Sequence, residues 1–298
     1  MQEADWIRRY IAPLVKASGA DSLRDDVAVL RADGVMIVNL DTLVEGTHFL
    51  ASDPLETVGR KLVRVNVSDI LAKGAVPAEA LLSIAWPRAR DEADFARLIS
   101  GIGRDLATYG ISLIGGDTVR TDGALCLSLT LTGRCLGEGP VRRGSGEIGH
   151  SLWVSGEIGW GHLGLQAARS GQNPQFANRF QVPEIGTAET AQTVSDYASA
   201  SMDVSDGLLI DALRLSEASG CGVEITLDQV PLAAPSASLE AILAQCTGGD
   251  DYQVLIAAPK GHSVPGFTQI GELLAKPGLK LSHAGRVVNA PVTLGFEH

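Results

Sequence analysis

Apolar residues recur at helical spacing in two long stretches of the chain. Val58, Leu62, Val65 and Ile70 predict a helix over 54–74, and Phe95, Leu98, Ile102 and Leu106 predict another over 91–109. Residues 125–135 instead alternate, with Leu125, Leu127, Leu129 and Leu131 on one side, as a half-buried strand requires. The runs 25–30 ("DDVAVL") and 35–44 ("VMIVNLDTLV") are rich in β-branched residues and read as strands joined by the turn Ala32-Asp33-Gly34. "EALLSIAWP" (79–87) reads as a strand, and "ISLIGGDT" (111–118) as a short strand running into a glycine-rich turn. Residues 1–20 read as a short amphipathic helix with Ile7, Ile11, Leu14 and Val15 inward.

"EGPVRRGSGEIGH" (138–150) is glycine-rich and charged, and reads as a linker. Beyond it the pattern predicts a strand at 151–159, helical segments around 161–170 and 187–200, a strand at 221–227 and a last strand after "TGGDD". The expected organisation is α/β (α+β): an N-terminal sheet domain over 1–137 and a C-terminal α/β domain over 151–298. In "MDVSDGLLID" (202–211), Asp203 ends a strand and Asp206 opens a helix. Asp211, five positions on, lies roughly 140° round that helix and reads as solvated surface. "NVSDI" (66–70) and "IGGDT" (114–118) are echoed in order by "DVSDG" (203–207) and "TGGDD" (247–251). A duplication or a repeated chemical demand would each produce that echo.

Composition then narrows the function. The 298 residues are 45% apolar and 20% charged, enough for a sizeable core and unlike a disordered chain. A net charge of −11, no basic patch and only 5% aromatic residues argue against nucleic acid as partner. No run reaches the ~20 apolar residues of a membrane span, and the charged start lacks the apolar region of a signal peptide. Cys126, Cys135, Cys221 and Cys246 show no paired metal-binding spacing, which fits reduced thiols in the cytoplasm.

Aspartates cluster where strands end or turns begin: Asp25, Asp26, Asp41, Asp69, Asp117, Asp203, Asp206, Asp250 and Asp251. Hard oxygen donors with few histidines or cysteines suit Mg²⁺ or Mn²⁺ rather than zinc. Each has a plain structural alternative: Asp206 as a helix cap, Asp69 as a polar residue near a helix end. Asp25 and Asp26 adjoin on a strand and face opposite ways. Gly115-Gly116-Asp117 lets backbone approach a ligand and offers N–H groups to phosphate, without any Walker A or dinucleotide fingerprint in the chain. His48 and the pair Arg142-Arg143 read alone as structural or solvated groups. No arrangement of a nucleophile with a base stands out.

Taken in order, "DDVAVL", "DTLVEGTHF", "VNVSDILAKGAVP", "LIGGDT", "MDVSDGL" and "GGDDY" resemble the thiamine-monophosphate kinase family, within the aminoimidazole-ribonucleotide synthetase-like ATP-binding superfamily. The ending "GFEH" is similar to the family's terminal glycine-aromatic-acid-histidine. The resemblance implies the two-domain synthetase-like fold, a homodimer formed through N-terminal sheets, and ATP-dependent phosphorylation of thiamine monophosphate with several Mg²⁺ ions. It implies metal contacts at Asp26, Asp41, Asp69, Asp117, Asp203 and Asp206, and nucleotide contacts at Tyr109, Gly116, Asp117, Ser205 and either Arg142 or Arg143. Contacts to the thiamine part fall on His48, Asp251 and Phe296. Where the family carries hydroxyl residues before Asp41, this chain has Asn39-Leu40, so metal contact there falls to the Asn39 oxygen, a backbone carbonyl or water. Asp251 is one methylene shorter than the family's glutamate. No covalent nucleophile or strong base is expected, because the acceptor is already an anionic phosphate. The rivals are another ATP-using synthetase of the superfamily, two of which would want a reactive cysteine near one terminus where this sequence shows none, and a non-catalytic nucleotide- or cation-binding module.

Overall fold

The structure, a computed structural model, describes residues 6–16 and 34–296. The predicted strand 25–30, the turn before Gly34, Asp25, Asp26 and the last two residues lie outside the described residues. The chain divides into two compact units, residues 1–70 with 76–138, and residues 71–75 with 139–298.

In the first unit β1 (Met36–Val44), β2 (Ala75–Pro87), β3 (Ser112–Thr121) and β4 (Cys126–Cys135) form a four-stranded sheet in the order β1-β4-β2-β3. β1 and β4 run antiparallel, with Asp41 opposite Leu129, and β2 and β3 run parallel, with Ser83 opposite Asp117. The alternation of β4 is realised fully: Leu125, Leu127, Leu129 and Leu131 are all buried. Two helices, α1 (Leu55–Ala72) and α2 (Glu92–Thr108), bury the apolar positions that their periodicity marks. They pass so closely that a Cβ on Gly101 of α2 would lie 2.0 Å from the Glu56 carbonyl oxygen of α1. Asp91 caps α2 by accepting from the Asp94 amide. The opposite side of the sheet is unlike the core: Val38 and Leu40 of β1, Leu81 of β2 and Val119 of β3 are all exposed.

Two expectations are corrected here. The predicted N-terminal helix is, in its described part, a π-helical turn at Ile7–Ile11 followed by a 3₁₀ turn at Ala12–Leu14. Pro13 lacks the N–H that an α-helix would need there. β3 does not turn at its glycines; it continues through them to Thr121, with one register irregularity against β2 at Ile114.

The second unit is built on a seven-stranded sheet, order β11-β10-β7-β9-β5-β8-β6. Its strands are β5 (Ser151–Ser155), β6 (Ala200–Val204), β7 (Gly222–Thr226), β8 (Gln253–Ala258), β9 (Phe267–Leu274), β10 (Gly278–His283) and β11 (Arg286–Val288). β7 and β10 pair in parallel, whereas β5 pairs antiparallel with β8 and β9, and β6 with β8. Helices α3 (Trp160–Ser170), α4 (Pro174–Gln181), α5 (Ala188–Tyr197), α6 (Leu208–Ala218) and α7 (Leu239–Thr247) complete the unit. A continuous core joins Met202, Val204, Leu208, Leu215, Ile225, Leu255 and Ile270. No helix among the described residues is long and apolar enough to cross a membrane.

Candidate active site

In the first unit the chemistry gathers where β1 faces α1. Asn39 and Asp41 are two apart on β1 and therefore share a face, the one turned away from exposed Val38 and Leu40. Asn66 and Asp69 are three apart on α1 and share its facing side. Asn39 donates from Nδ2 to Asp69 Oδ2 at 3.0 Å and to the Asn66 carbonyl at 3.2 Å. Asn66 in turn accepts from the Asp41 amide at 3.1 Å and donates to the Leu62 carbonyl at 2.9 Å. Asn39 Oδ1 is buried without a hydrogen-bond partner among the described residues. Burial, and then the charge of Asp69, pushes the Asp41 carboxyl up to about 7. A buried, unpaired amide oxygen beside two mutually repelling carboxylates is a hard donor set that suits Mg²⁺. Among the described residues no three Asp, Glu, His or Cys side chains gather as a metal-holding group.

Asp117 is not brought to this set. β3 and β1 are opposite edges of the sheet, and Asp117, opposite Ser83 and just before buried Thr118, is exposed on the face that Val119 shares. Gly116 is there for close approach: at φ 155° its Cβ would stand 1.9 Å from the Leu82 carbonyl oxygen. His48 follows β1; its Nδ1 accepts from the Val44 amide at 3.0 Å, and its carbonyl accepts from the buried Lys61 at 2.9 Å. Tyr109 ends α2 with its ring 6.0 Å from the Arg64 guanidinium, and burial pushes its phenol up. Arg64 and Arg60 both pair with fully buried Asp105.

In the second unit, three segments distant in sequence are laced together. The loop between β6 and α6 holds Ser205 and Asp206. The Asp250 amide donates to the Ser205 carbonyl at 2.8 Å, and the Phe296 amide donates to the Asp206 carbonyl at 2.8 Å. Asp203 lies buried in β6 just before this loop. Asp250 and Tyr252 adopt positive φ, 66° and 51°, a strained pair of the kind that collects at functional sites. Asp251 is buried between them, accepting from the Gly159 and Gly161 amides at 3.0 Å each, at the start of α3. Burial pushes its carboxyl up to about 7 against the opposing pull of those amides. Beside it opens a cavity of about 390 Å³ lined by Glu157, Trp160, Arg179, Glu184, Asp250 and Asp251, among others. Arg142 and Arg143 are exposed in the irregular segment before β5; their carbonyls accept from the Ser201 amide and the Ser219 hydroxyl.

The reading of Asp211 as solvated helix surface is wrong. It is fully buried and accepts backbone amides from the loop. Asp206 lies outside the helix, because α6 starts at Leu208, so no 140° offset separates the two side chains. Burial, then the Asp206 charge, pushes the Asp211 carboxyl up to about 6. Asn66, Lys61 and Arg214 were also missed. The Asp211–Arg214 spacing of three on one helix was the available signal for the last.

Comparison with known proteins accounts for both halves of the chain. Residues 24–135 match the family described as AIR synthase related protein, N-terminal domain, and residues 147–294 its C-terminal domain. The thiamine-monophosphate kinase of Caulobacter vibrioides is 37% identical across 99% of this chain and 90% of its own length. That of Aquifex aeolicus is 31% identical across 80% of this chain and 81% of its own. A crystal structure of the Aquifex aeolicus thiamine monophosphate kinase superposes with a TM-score of 0.76 at 31% identity, covering 85% of this chain and 88% of that one. A structure described as AaThiL complexed with AMPPCP and TMP superposes with a TM-score of 0.77 at 30% identity, covering 92% and 93%. The hydrogenase maturation protein HypE of E. coli, at 18% identity and a TM-score of 0.77 over 97% of this chain and 98% of that one, shares the fold.

Proposed function

The chain belongs to the thiamine-monophosphate kinases of the AIR synthase related family, and from that premise we propose that it transfers the γ-phosphoryl group of ATP to thiamine monophosphate, giving thiamine diphosphate. The observation that carries this reading is the 37% identity to a thiamine-monophosphate kinase over 99% of the chain.

The chemistry needs little covalent help from the protein. The acceptor is an anionic phosphate oxygen, so no general base is required, and positioning with charge neutralisation supplies most of the rate. Two sets of oxygen donors are available for Mg²⁺: Asp41, Asp69 and Asn39 Oδ1 in the first unit, and Asp203 and Asp206 in the second. Asp26, also assigned to metal, lies outside the described residues, and Asp117, on the other face of the sheet, stands apart from the first set. Bound Mg²⁺ would neutralise phosphate charge and allow two anionic substrates to meet. Gly116, Ser205, Tyr109 and one of Arg142 and Arg143 are assigned to the nucleotide, and His48, Asp251 and Phe296 to the thiamine part. The cavity beside Asp251, lined by the carboxyl groups of Glu157, Glu184 and Asp250 as well, supports the Asp251 assignment, since a thiazolium ring is an organic cation.

We also assign a homodimer. Its support is the exposed apolar face of the first sheet, Val38, Leu40, Leu81 and Val119, on a chain whose β1 is an open edge. Four free cysteines suit the reducing cytoplasm.

The test is a substrate panel. With ATP and Mg²⁺, thiamine monophosphate is expected to give ADP and thiamine diphosphate in equal amounts, and unphosphorylated thiamine to give neither. ADP release independent of thiamine monophosphate, or turnover of a different phosphorylated acceptor, overturns the assignment.

A further inference from the structure

The loop that carries Ser205 and Asp206 is held from behind by a residue outside the family motif positions assigned above. Asp211 lies one turn inside α6, wholly buried. Its Oδ2 accepts from three consecutive amides, those of Ser205 at 3.1 Å, Asp206 at 3.0 Å and Gly207 at 3.1 Å. Its Oδ1 accepts from Arg214 Nη1 at 3.0 Å, and the same nitrogen donates to Asp206 Oδ2. One carboxylate therefore fixes the peptide planes of the loop, and one guanidinium nitrogen ties the Asp206 side chain to that frame.

An ordinary helix cap does something different. A cap residue precedes the helix and accepts from amides inside its first turn. Asp211 is the fourth residue of the helix and reaches backward, to amides that precede it. What it orders is the loop. Successive amides converging on one anionic oxygen form a concave nest, here filled by the protein's own carboxylate. Without Asp211, those three buried or half-buried donors would lose their acceptor, and Arg214 would pair with Asp206 alone.

We propose that Asp211 is a positioning residue for phosphoryl transfer: through the three amides and through Arg214 it sets Ser205 and the Asp206 carboxylate in the geometry that receives Mg²⁺ and nucleotide. The inference rests on the reading of Ser205 and Asp206 as nucleotide- and metal-facing groups. Asp211 itself touches neither substrate. Its effect is on where Asp206 points.

The experiment compares Asp211→Asn, Arg214→Gln and Asp206→Asn with the parent, using thermal melts, calorimetry with Mg²⁺ and AMPPCP, and steady-state kinetics. Asp211→Asn keeps the size and one accepting oxygen but loses the ion pair, and Arg214→Gln keeps the amide bonds while releasing Asp206. Both are expected to bind Mg²⁺–AMPPCP about tenfold more weakly, as loss of a charge-assisted contact implies. Both are expected to lose about 100-fold in kcat, the scale of a small misplacement, with KM for thiamine monophosphate within about twofold of the parent. A merely structural role would lower the melting temperature and leave affinity and kcat of the folded protein alone. If Asp206→Asn is impaired while both other variants bind and turn over like the parent, the positioning role is overturned. If Asp206→Asn itself binds Mg²⁺–AMPPCP like the parent, the underlying reading of Asp206 falls first. Should Asp211→Asn fail to fold, Arg214→Gln decides alone by the same two readouts.

Discussion

Asn39 of β1 donates to Asp69 of α1 across 3.0 Å while its own Oδ1 stays buried without a partner among the described residues. An unsatisfied buried amide oxygen costs ~1–3 kcal/mol, a cost that a bound cation would remove. Asp69→Asn is expected to keep the fold, because an amide fits the same space, and to lose activity by several orders of magnitude. Asn39→Ala is expected to fold and to raise the Mg²⁺ concentration for half-maximal activity about tenfold, with kcat recovering at saturating Mg²⁺. A Mg²⁺ titration of initial rates checks both. Near-normal turnover of Asp69→Asn would remove the metal role from this pair.

Asp251 sets a pH dependence of stability. Burial raises its carboxyl from 3.8 to about 7 in the folded chain. Between those values the folded protein holds a proton that the unfolded chain has released. Stability from this group is therefore lost as pH rises from about 4 to 7, and is largest on the acid side. Asp41 and Asp211 are raised as well and add slopes of the same sign. Denaturant melts at several pH values should show the midpoint falling with rising pH in the parent, and less steeply in Asp251→Asn. Equal slopes would mean that the amides of Gly159 and Gly161 keep Asp251 ionised throughout.

How far this molecule can be read without coordinates varied with the kind of signal. Helices α1 and α2 and strand β4 declare themselves, since their apolar positions follow one period over many residues and all of them end up buried. β3 was cut short at Gly115-Gly116 because glycine pairs usually turn; here parallel pairing with β2 needs a backbone without side chains. Helices α4 and α7 and strands β9 to β11 went unread. α7, "LEAILAQCT", is short and apolar on several sides, so periodicity carries little information. The internal echoes mark no structural repeat: Asp69 is within α1 whereas Asp206 is in a loop, and Asp117 is within β3 whereas Asp250 precedes β8. At the site, residue types that carry charge were found, and the residues that hold them were not. Asn66 and Asp211 act through backbone amides, and a bond to an amide leaves no trace in side-chain pattern.

Leu40 tests the proposed homodimer without touching the core. It is 61% exposed on β1, beside Val38 at 66%. Leu40→Lys places a charge on the exposed face, where its cost to the isolated fold is within about 0.5 kcal/mol. Light scattering is expected to give a dimer for the parent and a monomer for the variant, with the melting transition of the monomer remaining cooperative. A monomeric parent, or a variant that stays dimeric, would direct the search for the interface elsewhere.

Asp105 offers a different kind of outcome, because its partners are charged and its surroundings dry. It is fully buried with Arg60 at 3.1 Å and Arg64 at 2.5 Å, and Arg64 lies over Tyr109. Removing one member of a buried ion network leaves charge uncompensated, here by taking away the carboxylate that Arg60 and Arg64 share, at a cost of ~3–5 kcal/mol. Asp105→Ala is therefore expected to lower the melting temperature by about 10 °C or more. Arg64→Lys keeps a charge for Asp105 but loses the planar guanidinium over the tyrosine ring, so its loss of stability should be smaller. If Tyr109 contacts the nucleotide, Arg64→Lys should raise KM for ATP while leaving KM for thiamine monophosphate unchanged. A rise in both, or in neither, would detach Tyr109 from the nucleotide and leave the Asp105 network as a device of stability alone.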